Sequence, residues 1–552
     1  MADGRPGKTH IFPIMQTTSS ITKRVRNKLY RELLERQHYQ RLKRLAADIK
    51  KHSRPADGVR PVIFFKASTD TLYMSLNSAF HLIAAWALRL QGVPVIHFTC
   101  QSGMSRCVLG TDRDDLSARP PCDACTARVS RQYHGAKVHS FRYNEDVEIT
   151  TAVQELDLDS LMTFEYQSLP LGKLVLPSMR WVLRRHHLPN DEATRFLYRE
   201  YIMSAWNIAQ EFTQLLDGTN PQAVVVFNGM FFPEAVARCI AQRRGIRVIS
   251  HEVALQPFTA FFTEGEATAY PIQIPEDFEL TQEQNRKLDQ YLEARFKGNF
   301  TMAGIKFWPE MQGLPEAFVE RMGQYKQVVP VFTNVIFDTS QPHSNVVFGN
   351  MFEWLATVLD LARSHPDALF VIRAHPDEKR TWKESQESVS DWVKAKNAQS
   401  LPNLVFFDSN EYVSSYELIR NAKFIMVYNS SIGLEASLMG APVLCAGKAR
   451  FTQVPTVYFP PSIDAFIDTA ERFLASDKVT PLPEFLQNAR KFLYYQLFRT
   501  SLPFADYLEA HPMRGMVALR DFHWQQLLPE NSPAVKAVVD GILKGGTYLL
   551  EE

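Results

Sequence analysis

Short runs of continuous apolar residues alternate along the chain with longer segments whose apolar residues recur every three or four positions. In the first half, the run VIFFKAS is followed by a helical pattern from Ser75 to Leu90 and by a second run, VPVIHFTC. The same order returns in AVVVFNG, a helical pattern from Pro233 to Arg244, and IRVISHE. Apolar strands that alternate with helices are typical of a mostly parallel sheet covered by helices on both faces.

A second series of the same kind follows a polar stretch, punctuated by Pro and Gly, from Tyr270 to Lys326. Its predicted strands and helices are, in chain order, VVPVFTN, a helix near Met351 to Arg363, ALFVIRAHP, a helix near Glu384 to Ala398, NLVFFD, a short helix near Ser415, KFIMVYN, a helix from Ile432 to Met439, and APVLCAG. Beyond Ser462 the pattern is mainly helical, and no strand is predicted to extend a sheet.

The two series predict an α/β fold with two Rossmann-like domains. We expect a basic helical extension over residues 1–58, a first Rossmann-like domain over 59–325 and a second over 326–480. The remaining residues, 481–552, are predicted to be helices.

The extension is strongly basic. From Thr22 to His52 it holds eleven Lys or Arg and three acidic residues, and leucine and other aliphatic residues recur with helical spacing. One interpretation is peripheral attachment to an anionic membrane surface. The other is a solvated helix packed on its own domain, and the lack of Trp and Phe in the apolar stripe favours it.

Composition narrows the class of protein. Of 552 residues, 45% are hydrophobic and 22% are charged, with a formal net charge of +1, so the chain is a globular protein with no global attraction to nucleic acid. No apolar run reaches the length of a membrane span, and Met1 to Ile14 lacks a signal-peptide core. We therefore expect a cytoplasmic protein, with the plasma membrane's inner face as a possible place of contact.

Polar residues follow two strands of the second series. Ser430 and Ser431 come after the strand KFIMVYN at the start of a helix, where backbone N–H groups and the helix dipole suit a phosphate, and Glu435 one turn later suits ribose hydroxyls. A helix-capping role explains the serines but not Glu435. Arg373 and His375 follow the strand ALFVI, and both are suited to stabilising charge on a departing phosphate.

Three further residues are candidates for a general base at the end of the first series. His251 and Glu252 follow the strand IRVIS, and Glu264 lies in the segment TEGEA. Activating an acceptor hydroxyl requires a carboxylate or imidazole within hydrogen-bond reach. The sequence does not choose among them, and each also fits an ordinary polar loop residue.

The segments VFTNVIFD, VIRAHPDE, SSYELI and YNSSIGLEASLMGAPVLCAG together resemble bacterial capsule-polysaccharide biosynthesis proteins, which are similar to GT-B glycosyltransferases. The resemblance implies two domains facing across a cleft, an acceptor domain first and a nucleotide-sugar-binding domain second, with C-terminal helices crossing back to the first. It implies donor-binding roles for Arg373, His375, Ser430, Ser431, Gly433 and Glu435. It also implies catalysis without a metal or other cofactor.

Four cysteines are spaced C-x6-C-x14-C-x2-C, at Cys100, Cys107, Cys122 and Cys125. Four thiolates are a sufficient ligand set for structural zinc, although only the C-x2-C half has typical spacing. Free thiols in a cysteine-rich loop are the alternative.

These observations lead to a glycosyltransferase hypothesis. The sugar would pass from a nucleotide donor to a surface or capsular polysaccharide or to a lipid-linked glycan. Glu252, His251 or Glu264 would activate the acceptor if the reaction inverts configuration, with His375 beside the leaving phosphate. A GT-B-fold sugar-nucleotide epimerase and a non-catalytic glycan- or nucleotide-binding component of an export assembly are the alternatives.

Overall fold

The computed structural model describes residues 15–68, 73–297, 311–380 and 383–551. Its strands are β1 (Val62–Phe65), β2 (Val95–Cys100), β3 (Lys137–Phe141), β4 (Ala223–Phe227), β5 (Arg247–Val253), β6 (Thr259–Glu264), β7 (Gln327–Phe332), β8 (Ala368–Arg373), β9 (Leu404–Phe407), β10 (Ile425–Val427), β11 (Val443–Cys445), β12 (Leu502–Pro503), β13 (Leu508–Ala510) and β14 (Val517–Leu519).

The α-helices of the same residues cover the faces of the sheets and form the N-terminal and C-terminal segments. They are α1 (Met15–His52), α2 (Leu76–Leu90), α3 (Cys122–Gln132), α4 (Val147–Gln154), α5 (Leu158–Thr163), α6 (Leu171–Leu183), α7 (Glu192–Thr219), α8 (Phe232–Arg243), α9 (Gln282–Phe296), α10 (Glu316–Met322), α11 (Gln341–Ser344), α12 (Met351–Ser364), α13 (Val389–Ala395), α14 (Ser415–Arg420), α15 (Ile432–Leu438), α16 (Ile463–Ala475), α17 (Pro483–Tyr494) and α18 (Pro533–Lys544).

Two sheets form the centre of the molecule. The first has the order β12-β6-β5-β4-β1-β2-β3 and the second the order β11-β10-β7-β8-β9. Neighbouring strands are parallel throughout the second sheet and from β5 to β3 in the first. The short apolar strands are buried on both faces, as their composition requires. The predicted α/β fold with two Rossmann-like sheets is confirmed.

The C-terminal prediction was wrong in one respect. Strand β12 pairs antiparallel with β6 and forms an edge of the first sheet, and β13 and β14 form a separate antiparallel pair. Strands of two or three residues are too short to show a periodic pattern. The helix α18 also contacts α2 of the first domain, while α17 contacts α15 of the second.

The second half of α1 packs on the first domain. Leu42, Leu45 and Ile49 are buried in the core that α2 and the first sheet share. This half of the apolar stripe is therefore covered by protein, as the second interpretation of the basic helix expected. The predicted basic segment begins at Thr22, but the side chains before Glu32 lie outside the described residues, as does the whole segment 1–14. Membrane contact stays a prediction.

None of the described helices is both long enough and apolar enough to cross a bilayer.

Candidate functional site

The carboxyl ends of three neighbouring strands in the second sheet bring the predicted donor residues to one edge. Strand β7 lies between β8 and β10, so the residues after β7 separate Arg373 from Ser430. With about 4.8 Å between strands, the two predicted groups are roughly 10 Å apart across the edge. This spacing suits the two ends of one extended ligand better than a single phosphate.

Asn334, which follows β7, was not predicted as a site residue. Its Nδ2 donates a hydrogen bond to Oδ1 of Asn429 over 2.7 Å, and Oγ1 of Thr333 donates to the carbonyl of Arg373 over 3.1 Å. These bonds tie the ends of β8, β7 and β10 together. Its place at the carboxyl end of the predicted strand VVPVFTN was the signal that could have found Asn334.

Arg373 brings a buried positive charge to this edge. Its residue is only 3% exposed, and Nη1 donates to the carbonyl of Ala374 over 2.7 Å. Its Nε has no hydrogen-bond partner among the described residues. Burial lowers the pKa of the guanidinium to about 10, so the group remains charged at neutral pH. A buried N–H without a partner is costly, and an oxygen of an anionic ligand would satisfy it.

His375 lies at the start of the turn that follows β8. Its Nδ1 accepts a hydrogen bond from the backbone N–H of Asp377 over 3.1 Å. Burial lowers the pKa of the imidazole, although Asp377 acts in the opposite direction. A neutral ring that accepts at Nδ1 carries its proton on Nε2. His375 therefore has the tautomer of a hydrogen-bond donor at Nε2.

The serines after β10 differ in exposure. Ser430 is buried, whereas Ser431 is exposed and its side chain makes no capping hydrogen bond to α15. The capping alternative therefore does not describe Ser431. Its hydroxyl lies at the surface of the same edge as Arg373 and Asn334.

Gly433 is required by packing. A Cβ at this position would lie 2.8 Å from Cζ of Phe451 and 3.0 Å from Cγ2 of Val427, both closer than carbon atoms pack. The residue allows α15 to approach the sheet. The predicted role of Gly433 in donor binding stays a prediction.

Replacing Gly433 by alanine is expected to lower the free energy of unfolding by about 1 kcal/mol, since overpacking costs about 1–3 kcal/mol and helix propensity returns up to about 1. Chemical denaturation measures the change. Gly218→Ala is the matched control, because Gly218 lies in α7 with open space around a Cβ. The control should be neutral or stabilising, and equal effects of the two variants would contradict the packing argument.

Glu435 already has protein partners. Its Oε1 is 2.7 Å from Nη2 of Arg295, and its Oε2 accepts a hydrogen bond from the hydroxyl of Tyr416. The side chain is buried. A ribose hydroxyl would have to share or displace these partners, so the predicted ribose contact stays a prediction.

Glu252 lies at the carboxyl end of β5 in the first sheet. Its Oε1 accepts from Nδ2 of Asn77 over 2.7 Å, and its Oε2 accepts from Nδ2 of Asn228 over 2.9 Å. The same Asn228 amide is 3.5 Å from Oγ1 of Thr339, which follows β7 of the second domain. The carboxyl edges of the two sheets therefore face each other here, and Glu252 lies on the first domain's side of that junction.

The other two candidate bases are placed elsewhere. His251 is fully buried against α2, where its Nε2 lies 3.0 Å from Nδ1 of His81, and burial lowers the pKa of His251 to about 3. Glu264 pairs with Arg247 over 2.9 Å, at the start of β5. Because β6 is antiparallel to β5, Glu264 at the end of β6 lies at the opposite end of the sheet from Glu252. Neither residue can meet an acceptor at the junction.

The four cysteines of the zinc prediction line one small cavity of about 30 Å³. Backbone N–H groups of Gly103 and Gly110 donate to Sγ of Cys100 and Cys107, over 3.2 and 3.3 Å. Burial nevertheless raises the pKa of both thiols to about 12. In the described part of the chain, which includes all four, no three Cys, His, Asp or Glu are arranged to hold a metal ion.

We therefore expect well under one zinc per chain, since fewer than three of these side chains are arranged to hold a metal ion and a zinc site needs three or four protein ligands. Elemental analysis of protein purified under reducing conditions, without chelator, measures the content. One equivalent of zinc that is lost in a Cys122→Ser variant would contradict this expectation.

Comparison with known proteins identifies the segment that carries the second-domain site. Residues 313–454 match the family model described as "Capsule polysaccharide biosynthesis protein". Protein FixF of Sinorhizobium fredii (strain NBRC 101917 / NGR234) is 30% identical over 148 residues, which are 25% of this chain and 33% of FixF. The match thus spans about a third of that relative's length.

Two solved structures are more distant. KpsC of Thermosulfurimonas dismutans, a beta Kdo 2,7 transferase, is 14% identical with a TM-score of 0.32, over 56% of this chain and 85% of that chain. UDP-GlcNAc 2-epimerase from Neisseria meningitidis is 12% identical with a TM-score of 0.23, over 79% and 98%. Both TM-scores are low, so the resemblance to capsule polysaccharide biosynthesis proteins depends on the match to the family model. The resemblance to capsule polysaccharide biosynthesis proteins is confirmed for residues 313–454, the segment that contains β7 to β11 and the predicted donor residues.

Proposed function

We propose that the protein is a glycosyltransferase that moves a sugar from a nucleotide donor to a capsular or surface polysaccharide, or to its lipid-linked precursor. The observation that carries the proposal is that the carboxyl edges of the two sheets face each other. Arg373, His375 and Ser431 lie at the carboxyl edge of the second sheet, and Glu252 lies at the facing edge of the first. The match of residues 313–454 to the family of capsule polysaccharide biosynthesis proteins also supports a role in polysaccharide synthesis.

The second domain would hold the donor. The Nε–H of Arg373 and the Nε2–H of His375 donate to phosphate oxygens, and Asn334 and Ser431 bind the other end of the diphosphate. As the bond to the sugar breaks, negative charge grows on the leaving phosphate. A buried guanidinium and a fixed imidazole donor stabilise that charge without reorganising, which is the role a metal ion has in other transferases. We therefore propose metal-independent transfer.

The first domain would activate the acceptor. Glu252 takes the proton of the acceptor hydroxyl as its oxygen attacks the anomeric carbon from the side opposite the leaving group. Asn77 and Asn228 hold the carboxylate by one bond to each oxygen. We propose inversion of configuration, because attack by an acceptor that Glu252 deprotonates, from the side opposite the leaving group, is a single displacement.

A thermal-shift screen against nucleoside mono- and diphosphates tests donor binding. A nucleotide at a hundredfold excess over its dissociation constant stabilises by about 2.7 kcal/mol. We expect one base to stabilise strongly, followed by sugar transfer from the matching nucleotide sugar only when a glycan acceptor is present. Conversion of the sugar without an acceptor would indicate an epimerase, and the absence of any nucleotide effect would contradict the proposal.

A further inference from the structure

The end of α6 forms a fixed contact between the two domains. The carbonyl of Arg184 accepts a hydrogen bond from the N–H of Gln386 over 2.8 Å. The carboxylate of Glu387 accepts from the N–H groups of His186 and His187 over 2.8 and 3.0 Å. Residues 184–187 of the first domain are therefore bonded to residues 386–387 of the second.

Arg184 itself has an unusual backbone conformation. It ends α6 with φ 57° and ψ 38°, in the left-handed region. This backbone conformation costs a residue with a Cβ about 1 kcal/mol of free energy, whereas glycine adopts it without that cost. The arginine side chain is thus present at a position where the backbone alone would favour glycine.

The side chain is buried between aromatic rings, and two of its three guanidinium nitrogens have no hydrogen-bond partner among the described residues. Arg184 is 5% exposed, and its guanidinium carbon lies 4.0 Å from the ring centre of Trp181 and 5.0 Å from that of Phe337. Its Nε and Nη1 make no hydrogen bond to any described residue. Aromatic rings contact the faces of a guanidinium, whereas its N–H groups point outward in its plane. The rings therefore hold the group but leave these donors unsatisfied.

The charge of Arg184 is only partly balanced by the protein. Burial, followed by Arg113, lowers the pKa of the guanidinium to about 10, whereas the carboxylates of Asp338 and Glu384 act in the opposite direction. The group is therefore still protonated at neutral pH. No acidic residue of the described ranges forms an ion pair with it, and its buried Nε–H and Nη1–H groups have no acceptor there, which is costly. An anionic ligand that contacts these donors would supply the acceptor.

Arg184 is close to the proposed donor site. The carboxylate of Asp338, in the segment after β7, raises the pKa of both Arg184 and His375. Both groups are therefore within electrostatic reach of one residue at the junction. Phe337, the residue before Asp338, is the second ring that contacts the guanidinium.

We propose that Arg184 binds an anionic group of the sugar substrate, a carboxylate or a phosphoryl oxygen, at the junction of the two domains. This inference rests on the proposed transferase function, because only that function identifies the sugar substrate as the molecule that carries the anionic group. It narrows the substrate class to acidic sugars or sugar phosphates, because the hydroxyl oxygens of a neutral sugar could accept from the two N–H groups but would bring no counter-charge to the guanidinium.

The test compares the wild type with Arg184→Met, which keeps the length of the side chain, and Arg184→Lys, which keeps the charge but loses the planar donors. The probes are inorganic phosphate and glucuronate, with glucose and sodium chloride at matched concentration and ionic strength. Thermal shift reports apparent affinity. We expect the wild type to be stabilised by phosphate or glucuronate but not by glucose, and Arg184→Met to bind the active anion at least tenfold more weakly. Arg184→Lys should also bind it several-fold more weakly.

Arg185→Met is the matched control, since it removes the same charge from the neighbouring residue, whose guanidinium donates to the carbonyl of Gln386 in a solvent-exposed hydrogen bond. It should bind the anion as the wild type does. Arg184→Met should also be no less stable than the wild type without ligand, because it removes a buried charge that has no ion-pair partner among the described residues. Equal affinity of Arg184→Met and wild type for both anions, or no stabilisation of the wild type by either, would overturn the inference.

The two proposals fail separately. Nucleotide binding depends on Arg373 and should persist in Arg184→Met. If neither the wild type nor any variant bound a nucleotide, the transferase proposal would be rejected, whereas anion binding by Arg184 would be judged by the glucuronate measurement. The effect of glucuronate, which contains no phosphate, reports on the Arg184 site alone.

Discussion

Replacing Glu252 by glutamine is expected to lower the turnover of sugar transfer by about 100-fold or more. Glutamine keeps the shape of the side chain and can still accept a hydrogen bond from one of the two asparagines. It cannot take the acceptor's proton, and a general base contributes about 100- to 10,000-fold. Steady-state assays with the nucleotide sugar found by the screen measure kcat and KM. Nucleotide affinity, measured by thermal shift, should not change, because the donor lies on the second domain.

Glu264→Gln is the control for this variant. It makes the same substitution in the same sheet, but at the end that faces away from the junction, where Glu264 pairs with Arg247 on the surface. A half-exposed ion pair contributes at most about 1 kcal/mol, so stability and turnover should be nearly unchanged. Equal activity of the Glu252→Gln enzyme and the wild type would reject Glu252 as the base and would favour a retaining reaction.

Replacing Arg373 by methionine is expected to weaken binding of the donor nucleotide by about 10- to 100-fold. The guanidinium would supply charge-assisted hydrogen bonds, each contributing about 1.5–3 kcal/mol. Methionine fills much the same volume and removes a buried N–H that lacks a partner in the described structure. The unliganded protein should therefore keep its stability, and titration calorimetry with the nucleotide should show the loss.

Arg420→Met provides the comparison for Arg373→Met. Arg420 lies in the same domain at the end of α14, but it is exposed. Its removal should leave nucleotide affinity within twofold of the wild type. If both variants bind nucleotide equally well, the phosphate site does not include Arg373, and the proposed donor edge of the second sheet would be wrong.

Much of the fold could be predicted from the sequence because it depends on local patterns. Buried parallel strands such as β4 and β8 are continuous apolar runs, and these runs identified β1, β2, β4 and β5 of the first sheet and all five strands of the second. The strands β3 and β6 of the first sheet were not predicted; β3 is largely exposed and has no apolar run. The strand β12 could not be predicted, since its two residues pair with β6 from more than two hundred positions away. Its pairing depends on where the C-terminal segment packs and not on its own composition.

The candidate site divides in the same way. Arg373, His375 and Ser431 were predicted because they follow strands, and parallel strands end at one edge of a sheet. The choice among Glu252, His251 and Glu264 needed the structure. Adjacent residues of a strand point to opposite faces, and the direction of the next strand decides which end its last residue reaches.

By itself, the sequence determined the two α/β series, the residues at the ends of their strands and the resemblance of one segment to a family, because each is a property of neighbouring positions. Only the tertiary structure decided that Asn334 lies between the two predicted groups, that Glu435 is bonded to Arg295, and that Nε and Nη1 of Arg184 are buried without a hydrogen-bond partner in the described part of the chain. These facts depend on contacts between residues far apart in the chain, and local patterns do not encode them.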